Sequence, residues 1–280
     1  MLRSLFAGIS GLRTNQTMLD ITGNNIANAN TTGFKASTTV FSDTLSQMLT
    51  AASGGNAERG GTNPIQIGLG VQLAATMTNF GQGSAQMTGR PTDLMLQGDG
   101  FFVVRDGAEN MYTRAGAFTF DQTGTLVAPT GMRVQGYALD VAGLPTGGLI
   151  DIDLNSIPLP PGVDLTSYSI AADGKVRGVY SDGVQRDIAQ LAVADFANPM
   201  GLDRIGDTSF RESANSGAVQ LGTAGQGQRG QIMAGALEMS NVDLSAEFTN
   251  LILAQRGFQA SSRVITTSDQ VLEDLVNIKR

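Results

Sequence analysis

The chain opens with MLRSLFAGISGLRTNQTMLDITGNNIAN, residues 1–28. In this stretch Leu2, Leu5, Ile9, Leu12, Leu19 and Ile26 fall on alternating spacings of three and four, and Gln16 and Gly23 occupy the two missing positions of the frame. That rhythm is the heptad seam of an amphipathic helix. Its polar and glycine interruptions would weaken an isolated coiled coil, so the stripe needs neighbours on more than one side. The helix is expected to end between Asn28 and Gly33, where Asn, Thr and Gly cluster.

The same alternation returns at the far end in Leu244, Phe248, Leu251, Phe258, Ile265, Leu272 and Val276, with Gln255, Ser262 and Asp269 at the polar frame positions. Ser240, Asn241 and Asp243 offer capping groups ahead of it, and Lys279 with Arg280 suits the negative end of its dipole. Two such stripes can form a helical hairpin inside one globule, since apolar stripes are usually core. Confined to the extreme ends of a chain, they equally suit helices that pair with each other and then pack against copies of themselves. The position of the stripes favours the second reading.

Between the ends the pattern changes. Short β-prone runs such as Gly100–Val104, Ala117–Phe120, Gly124–Val127, Arg133–Tyr137 and Ser167–Ile170 are separated by Asp99-Gly100, Asp106-Gly107, Asp173-Gly174 and Asp182-Gly183, which read as hairpin turns. Residues 46–70 read as an extended linker, Ser213 to Gly230 as a second loop, and Pro158, Pro160 and Pro161 as a break that could separate two sub-sheets. The predicted fold is α+β. Residues 1–45 and 240–280 form a terminal helical domain in which the N- and C-terminal helices pair in a coiled-coil-like way, and 71–239 form a β-rich middle.

The 280 residues include no Cys, His or Trp, which removes thiolate nucleophiles, imidazole bases, disulfides and the commonest zinc ligands together. No nucleophile elbow, phosphate-binding loop or calcium loop is present. No catalytic, cofactor-binding or metal residues are expected, and no cofactor. The net charge of −7 argues against nucleic acid as a partner. Phe101, Phe102, Phe118 and Phe120 read as core rather than as stacking platforms. No apolar run reaches 18 residues, so no membrane insertion is expected. Arg13 interrupts the first apolar stretch and no clean cleavage site follows, which argues against a cleaved signal peptide.

Residues Gly23-Asn24-Asn25-Ile26-Ala27-Asn28-Ala29-Asn30-Thr31-Thr32-Gly33-Phe34-Lys35 resemble the signature of the bacterial flagellar rod and hook family, and they follow the expected helix. Asp93 to Phe102, Tyr112 to Val127 and Glu238 to Ile278 agree with the same family, so the likeness spans nearly the whole chain. Within it, MLRSLFAGISGL, RGGTNPIQIGLGV and the end AQRGFQASSRVITTSDQVLEDLVNIKR are more similar to the short hook form than to the distal rod form, which stays as the alternative. Longer hook forms carry an additional outer domain that this chain lacks.

The resemblance implies an inner tube lined by both terminal helices and an outer wall made by the β middle. It implies a homopolymer that forms a curved, bendable joint passing torque to the filament. The further partners it implies are a hook cap at the tip, hook-filament junction proteins, the distal rod and the type III export apparatus, with the product outside the cell. Unpaired stripes would stay largely disordered in the exported monomer and fold against neighbours at the growing tip. The assembly residues are then Leu5, Ile9, Leu12, Leu19, Ile26, Leu244, Phe248, Leu251, Phe258, Ile265 and Leu272. Gly23, Asn24, Asn25, Asn28, Gly33 and Phe34 carry the family motif. Local hydrogen bonds that end the helix are the first reading of its asparagines and of Gly33, and contacts between subunits the second.

Overall fold

The computed structural model describes residues 2–55, 60–140, 143–156 and 164–278. The chain divides into two units. Unit 1 comprises Met1–Ala27, Ser37–Asn79 and Val242–Arg280; unit 2 comprises Asn28–Ala36 and Phe80–Asn241.

In unit 1, α1 (Leu2–Ala27) and α2 (Leu244–Ile278) pack antiparallel. Ser4 meets Ser268 at 3.3 Å, and Asn25 donates to Glu247 at 3.1 Å. Between those ends the seam is made of small residues. A Cβ built on Gly11 would lie 2.8 Å from Ser261 Oγ, one on Gly257 2.5 Å from Asn15 Oδ1, and one on Gly8 3.1 Å from Ile265. Glycine, serine and asparagine thus supply these close contacts along the seam. Ile265 joins the seam. Leu5, Leu12, Leu19, Ile26, Leu251 and Leu272 are half-buried, while Ile9, Leu244, Phe248 and Phe258 are exposed. Helix separation follows the side chains at the contact, and glycine and serine allow a close approach.

Two strand pairs complete unit 1. β1 (Ser37–Asp43) runs antiparallel to β4 (Val71–Thr78), from Ser37 opposite Thr78 to Asp43 opposite Val71. β2 (Ser46–Thr50) pairs with β3 (Ile65–Gly68). The stretch 46–70 thus holds a strand pair where sequence suggests only a linker. Every residue of β2 and β3 is exposed, so neither face imposes the alternation by which a strand is recognised.

Unit 2 is built on a twelve-stranded antiparallel sheet. At its centre lies Gln185–Asp195, paired with Lys175–Tyr180, Arg133–Leu139, Phe101–Asp106 and Gln220–Thr223. β5 (Ala85–Met87) and β6 (Leu94–Gln97) pair instead with Ala236–Glu238 and Gln231–Ala234, and β7 (Phe101–Asp106) continues into β8 (Glu109–Thr113). β7 is covered on both faces: Phe102 and Val104 enter one core cluster, Phe101 and Val103 the other. Phe102 packs edge-on to Phe118 with ring centroids 5.3 Å apart, and Phe101 packs edge-on to Phe80 at 5.4 Å and to Phe196 and Phe210 at 5.9 Å. Pro158, Pro160 and Pro161 lie outside the described residues; the strands Pro145–Asp151 and Leu165–Ile170 on either side belong to one sheet. The second predicted loop contains the strand Gln220–Thr223.

Of the four Asp-Gly turns, Asp106-Gly107, Asp173-Gly174 and Asp182-Gly183 link strands paired with each other. Asp99-Gly100 does not. It is a bend between β6 and β7, which pair with different segments, and Asp99 bridges Arg229 in parallel. The glycine is required for a different reason: Gly100 has φ +121°, and a Cβ there would lie 2.6 Å from Val193 Cγ1. Gly100→Ala is expected to destabilise unit 2 by about 2–4 kcal/mol, combining backbone strain with overpacking. The chain has four tyrosines, Tyr112, Tyr137, Tyr168 and Tyr180, all in unit 2, and no Trp. Tyrosine fluorescence during urea unfolding measures the effect, and an unchanged midpoint would contradict it.

Candidate functional site

Apolar side chains are distributed very unevenly. Among the described residues, 22 of the 27 exposed large hydrophobics belong to unit 1, and Ala254 is its one buried hydrophobic residue. Phe6, Leu45, Leu253, Val276 and Ile278 are each at least 60% exposed. Burying one such side chain is worth about 1.5–3 kcal/mol, so unit 1 holds its largest reserve of stabilisation at its own surface. Apolar patches of this extent mark interaction surfaces.

The motif residues behave differently from the stripe. Asn25 is buried; its amide donates to the Ser37 carbonyl at 2.8 Å and its Oδ1 accepts the Ser37 N–H at 3.0 Å. Those bonds fix the start of β1 against the end of α1. Asn28 accepts from Thr31 through both its carbonyl (3.1 Å) and its side chain (3.1 Å), in the turn just after α1. Gly33 has φ +70°, donates its N–H to the Glu238 carbonyl at 2.8 Å, and leaves no room for a Cβ, which would meet Ala115 N at 2.4 Å. Phe34 is buried under the Arg204 guanidinium, 4.9 Å from its ring centroid. Gly23 has open space around it, and Asn24 is exposed.

α2 begins with Asp243 as its cap, accepting the N–H groups of Ser245 (2.8 Å) and Ala246 (3.3 Å). One turn on, burial pushes the Glu247 carboxyl above its usual range; the Asn25 bond opposes that shift and nearby Asp243 reinforces it.

A cluster that sequence reasoning did not single out lies in unit 2. Lys35, Glu238 and Arg114 are all nearly solvent-free. Lys35 Nζ bonds Glu238 Oε1 at 2.6 Å and the Gly81 carbonyl at 2.9 Å. The same Oε1 accepts the Gly83 N–H at 2.9 Å, and Oε2 faces Arg114 Nη1 at 3.5 Å. Arg204 donates to the Lys35 carbonyl at 2.6 Å. Burial pulls the Lys35 ammonium below its ordinary value against the support of Glu238, and it disfavours the charged form of Arg114 in the same way. The three residues lie far apart in sequence, and nothing in their spacing announces the contact.

Among the described residues, no group of three or more His, Cys, Asp and Glu could hold a metal ion, and no helix is long and apolar enough to cross a membrane. A folded β unit joined to a helical unit whose apolar surface is left open has the make-up of a structural subunit with an interaction surface. Family models bear on the same segments. Residues 5–35 match the flagella basal body rod protein model, 95–178 the flagellar hook protein FlgE/F/G D1 domain, and 233–278 the C-terminal model of the flagellar basal body rod FlgEFG proteins. The chain is 46% identical over 281 residues to the flagellar basal-body rod protein FlgG of Bacillus subtilis (strain 168), covering all of both chains. It is 31% identical over 441 residues to the flagellar hook protein FlgE of Borreliella burgdorferi, and 34% identical over 285 residues to FlgG of that organism, again over the whole of each chain. The chain belongs to the flagellar hook and basal-body rod protein family, and is an axial structural subunit of the flagellum.

The buried cluster makes an ordered prediction. Lys35→Met leaves Glu238 with Arg114 and is expected to cost about 3 kcal/mol, near the lower end for breaking a buried pair. Glu238→Leu strands two buried cations and should cost more, about 5 kcal/mol. Urea unfolding followed by tyrosine fluorescence tests the order, and equal or reversed losses would show that Glu238 is not the hub.

Proposed function

We propose that this chain is the hook subunit, polymerising into a curved tube outside the cell that passes torque from the rod to the filament. The observation that carries this reading is a comparison within one organism. For Borreliella burgdorferi, 31% of 441 positions is about 137 identities with the hook protein, while 34% of 285 is about 97 with the rod protein FlgG. At least 161 of those 441 positions fall outside the 280 residues of this chain, so the identities with the hook protein are concentrated in the parts the two share. The second reading, a distal rod subunit, is favoured by the 46% identity with Bacillus subtilis FlgG at matching length.

In this reading the partners of the exposed helix faces are further copies of the chain, and the ends of the polymer meet the hook cap, the junction proteins and the distal rod. The monomer leaves through the flagellar type III apparatus. Its helices gain order as they assemble, because unit 1 has almost no core of its own. Leu5, Ile9, Leu12, Leu19, Ile26, Leu244, Phe248, Leu251, Phe258, Ile265 and Leu272 supply the assembly contacts.

Two measurements test these proposals. Immunogold labelling of isolated hook and basal-body complexes with antibody to residues 80–241 should decorate the curved segment. Label on the straight rod would establish the second reading, and label on neither would remove both. Phe248 is 52% exposed, so Phe248→Asp should leave the tyrosine-reported stability of unit 2 within about 0.5 kcal/mol of the parent. The variant should stay in the supernatant where the parent pellets as polymer. It should also lack the rise in helical circular dichroism expected of the parent on assembly. Normal pelleting would remove Phe248 from the assembly surface.

A further inference from the structure

α2 is longer than the helix it packs on. Ser4 lies beside Ser268, Gly8 beside Ile265 and Gly11 beside Ser261, so each step up α1 is a step down α2 and α1 is exhausted near residue 270. Val271 to Ile278, two turns and about 12 Å of helix, continue without α1 beside them. Val271, Asp274, Leu275 and Ile278 share one face of this overhang. Val271, Leu275 and Ile278 are 47%, 50% and 80% exposed.

Elsewhere in unit 1, α1 and the start of β4 enclose a groove of about 400 Å³ lined by Phe6, Ile9, Arg13, Thr17, Val71 and Leu73 among others. At its floor the Val71 N–H donates to Ser10 Oγ at 3.3 Å, tying β4 to α1. From Phe6 to Thr17 it runs about 16 Å along α1, long enough for two turns of helix. Its lining contains one charged residue, Arg13, and no acidic one. Arg13 forms no ion pair among the described residues, and neither does Asp274, the one charge on the apolar face of the overhang.

We propose that the overhang of one subunit docks in the α1–β4 groove of a second copy, with Leu275 and Ile278 against Phe6, Ile9 and Leu73, and Asp274 meeting Arg13. A chain cannot fill its own groove in this way, because α2 runs antiparallel to α1 and its end travels away from residues 6–17. Groove and overhang are different surfaces, so the contact is heterologous, the kind that builds an open helical array when its rotation does not close. The inference rests on the self-assembly reading and names the contact that makes it directional.

The test is charge exchange in the full-length protein, read as the concentration at which polymer first pellets. Arg13→Asp and Asp274→Arg should each raise that concentration about tenfold or more, the scale of a lost close charge pair at an interface. The double variant should restore it. Restoration supports the docking; two harmless single variants, or a double variant no better than the singles, overturn it. The absence of cysteine allows a second reading of the same contact. Gln72→Cys and Leu275→Cys chains, mixed, polymerised and oxidised, should yield disulfide-linked pairs that the mixed monomers do not. Polymer that forms without those pairs overturns the docking and leaves the self-assembly reading intact. Failure of the parent protein to polymerise at all would count against that reading instead.

Discussion

The buried carboxylate of Glu238 is the constraint on which unit 2 turns. It gathers the Lys35 ammonium, the Gly83 amide and the Arg114 guanidinium, while the Glu238 carbonyl takes the Gly33 N–H. Asn241 extends the tie: its Oδ1 accepts from Ala36 at 2.8 Å and its amide donates to Gly81 at 3.0 Å. Ala36, Gly81 and Asn241 sit at or beside the points where the chain leaves unit 2. Segments from both ends of the sequence are therefore fastened to each other before either reaches its helix. A charge buried this deeply is stable only while all its partners are present, which makes the fastening cooperative.

The two units solve the problem of burial in opposite ways. Unit 2 closes its sheet over two apolar clusters, and β7 contributes to both because successive side chains point to opposite faces. Unit 1 pairs its helices through Gly8, Gly11, Gly257 and Ser261 and leaves many of its larger apolar side chains exposed. A small-residue seam gives little apolar burial. What it gives is a close helix pair whose remaining surface is free to be covered by other molecules, and that surface then holds most of the available stabilisation.

This division explains what sequence could and could not disclose. The heptad rhythm located both helices, because an apolar residue every three or four positions reports a face that will be buried. It did not say against what, and Gly8, Gly11 and Gly257, which make the seam, look like interruptions of the pattern. β2 and β3 were invisible for the converse reason, since neither face is buried. Asp99-Gly100 carried a true turn signal whose flanking strands pair elsewhere, a fact of topology rather than of local chemistry. The motif from Gly23 to Lys35 marked the right place. Lys35 itself could be paired with Glu238 only by a fold that brings together residues 203 apart.

Charge is also distributed unevenly along the sequence. Residues 1–50 sum to +1, from Arg3, Arg13 and Lys35 against Asp20 and Asp43, and residues 243–280 sum to −1, so the net −7 resides in the middle of the chain. Like-charged surfaces brought together in a polymer repel one another, and the repulsion is least where the surfaces are neutral. The terminal segments can thus approach one another with little electrostatic opposition, while like charge in the acidic middle opposes close association. Exposed apolar surface gathered in unit 1 and net charge gathered in the middle of the sequence separate two opposing influences on association along one chain.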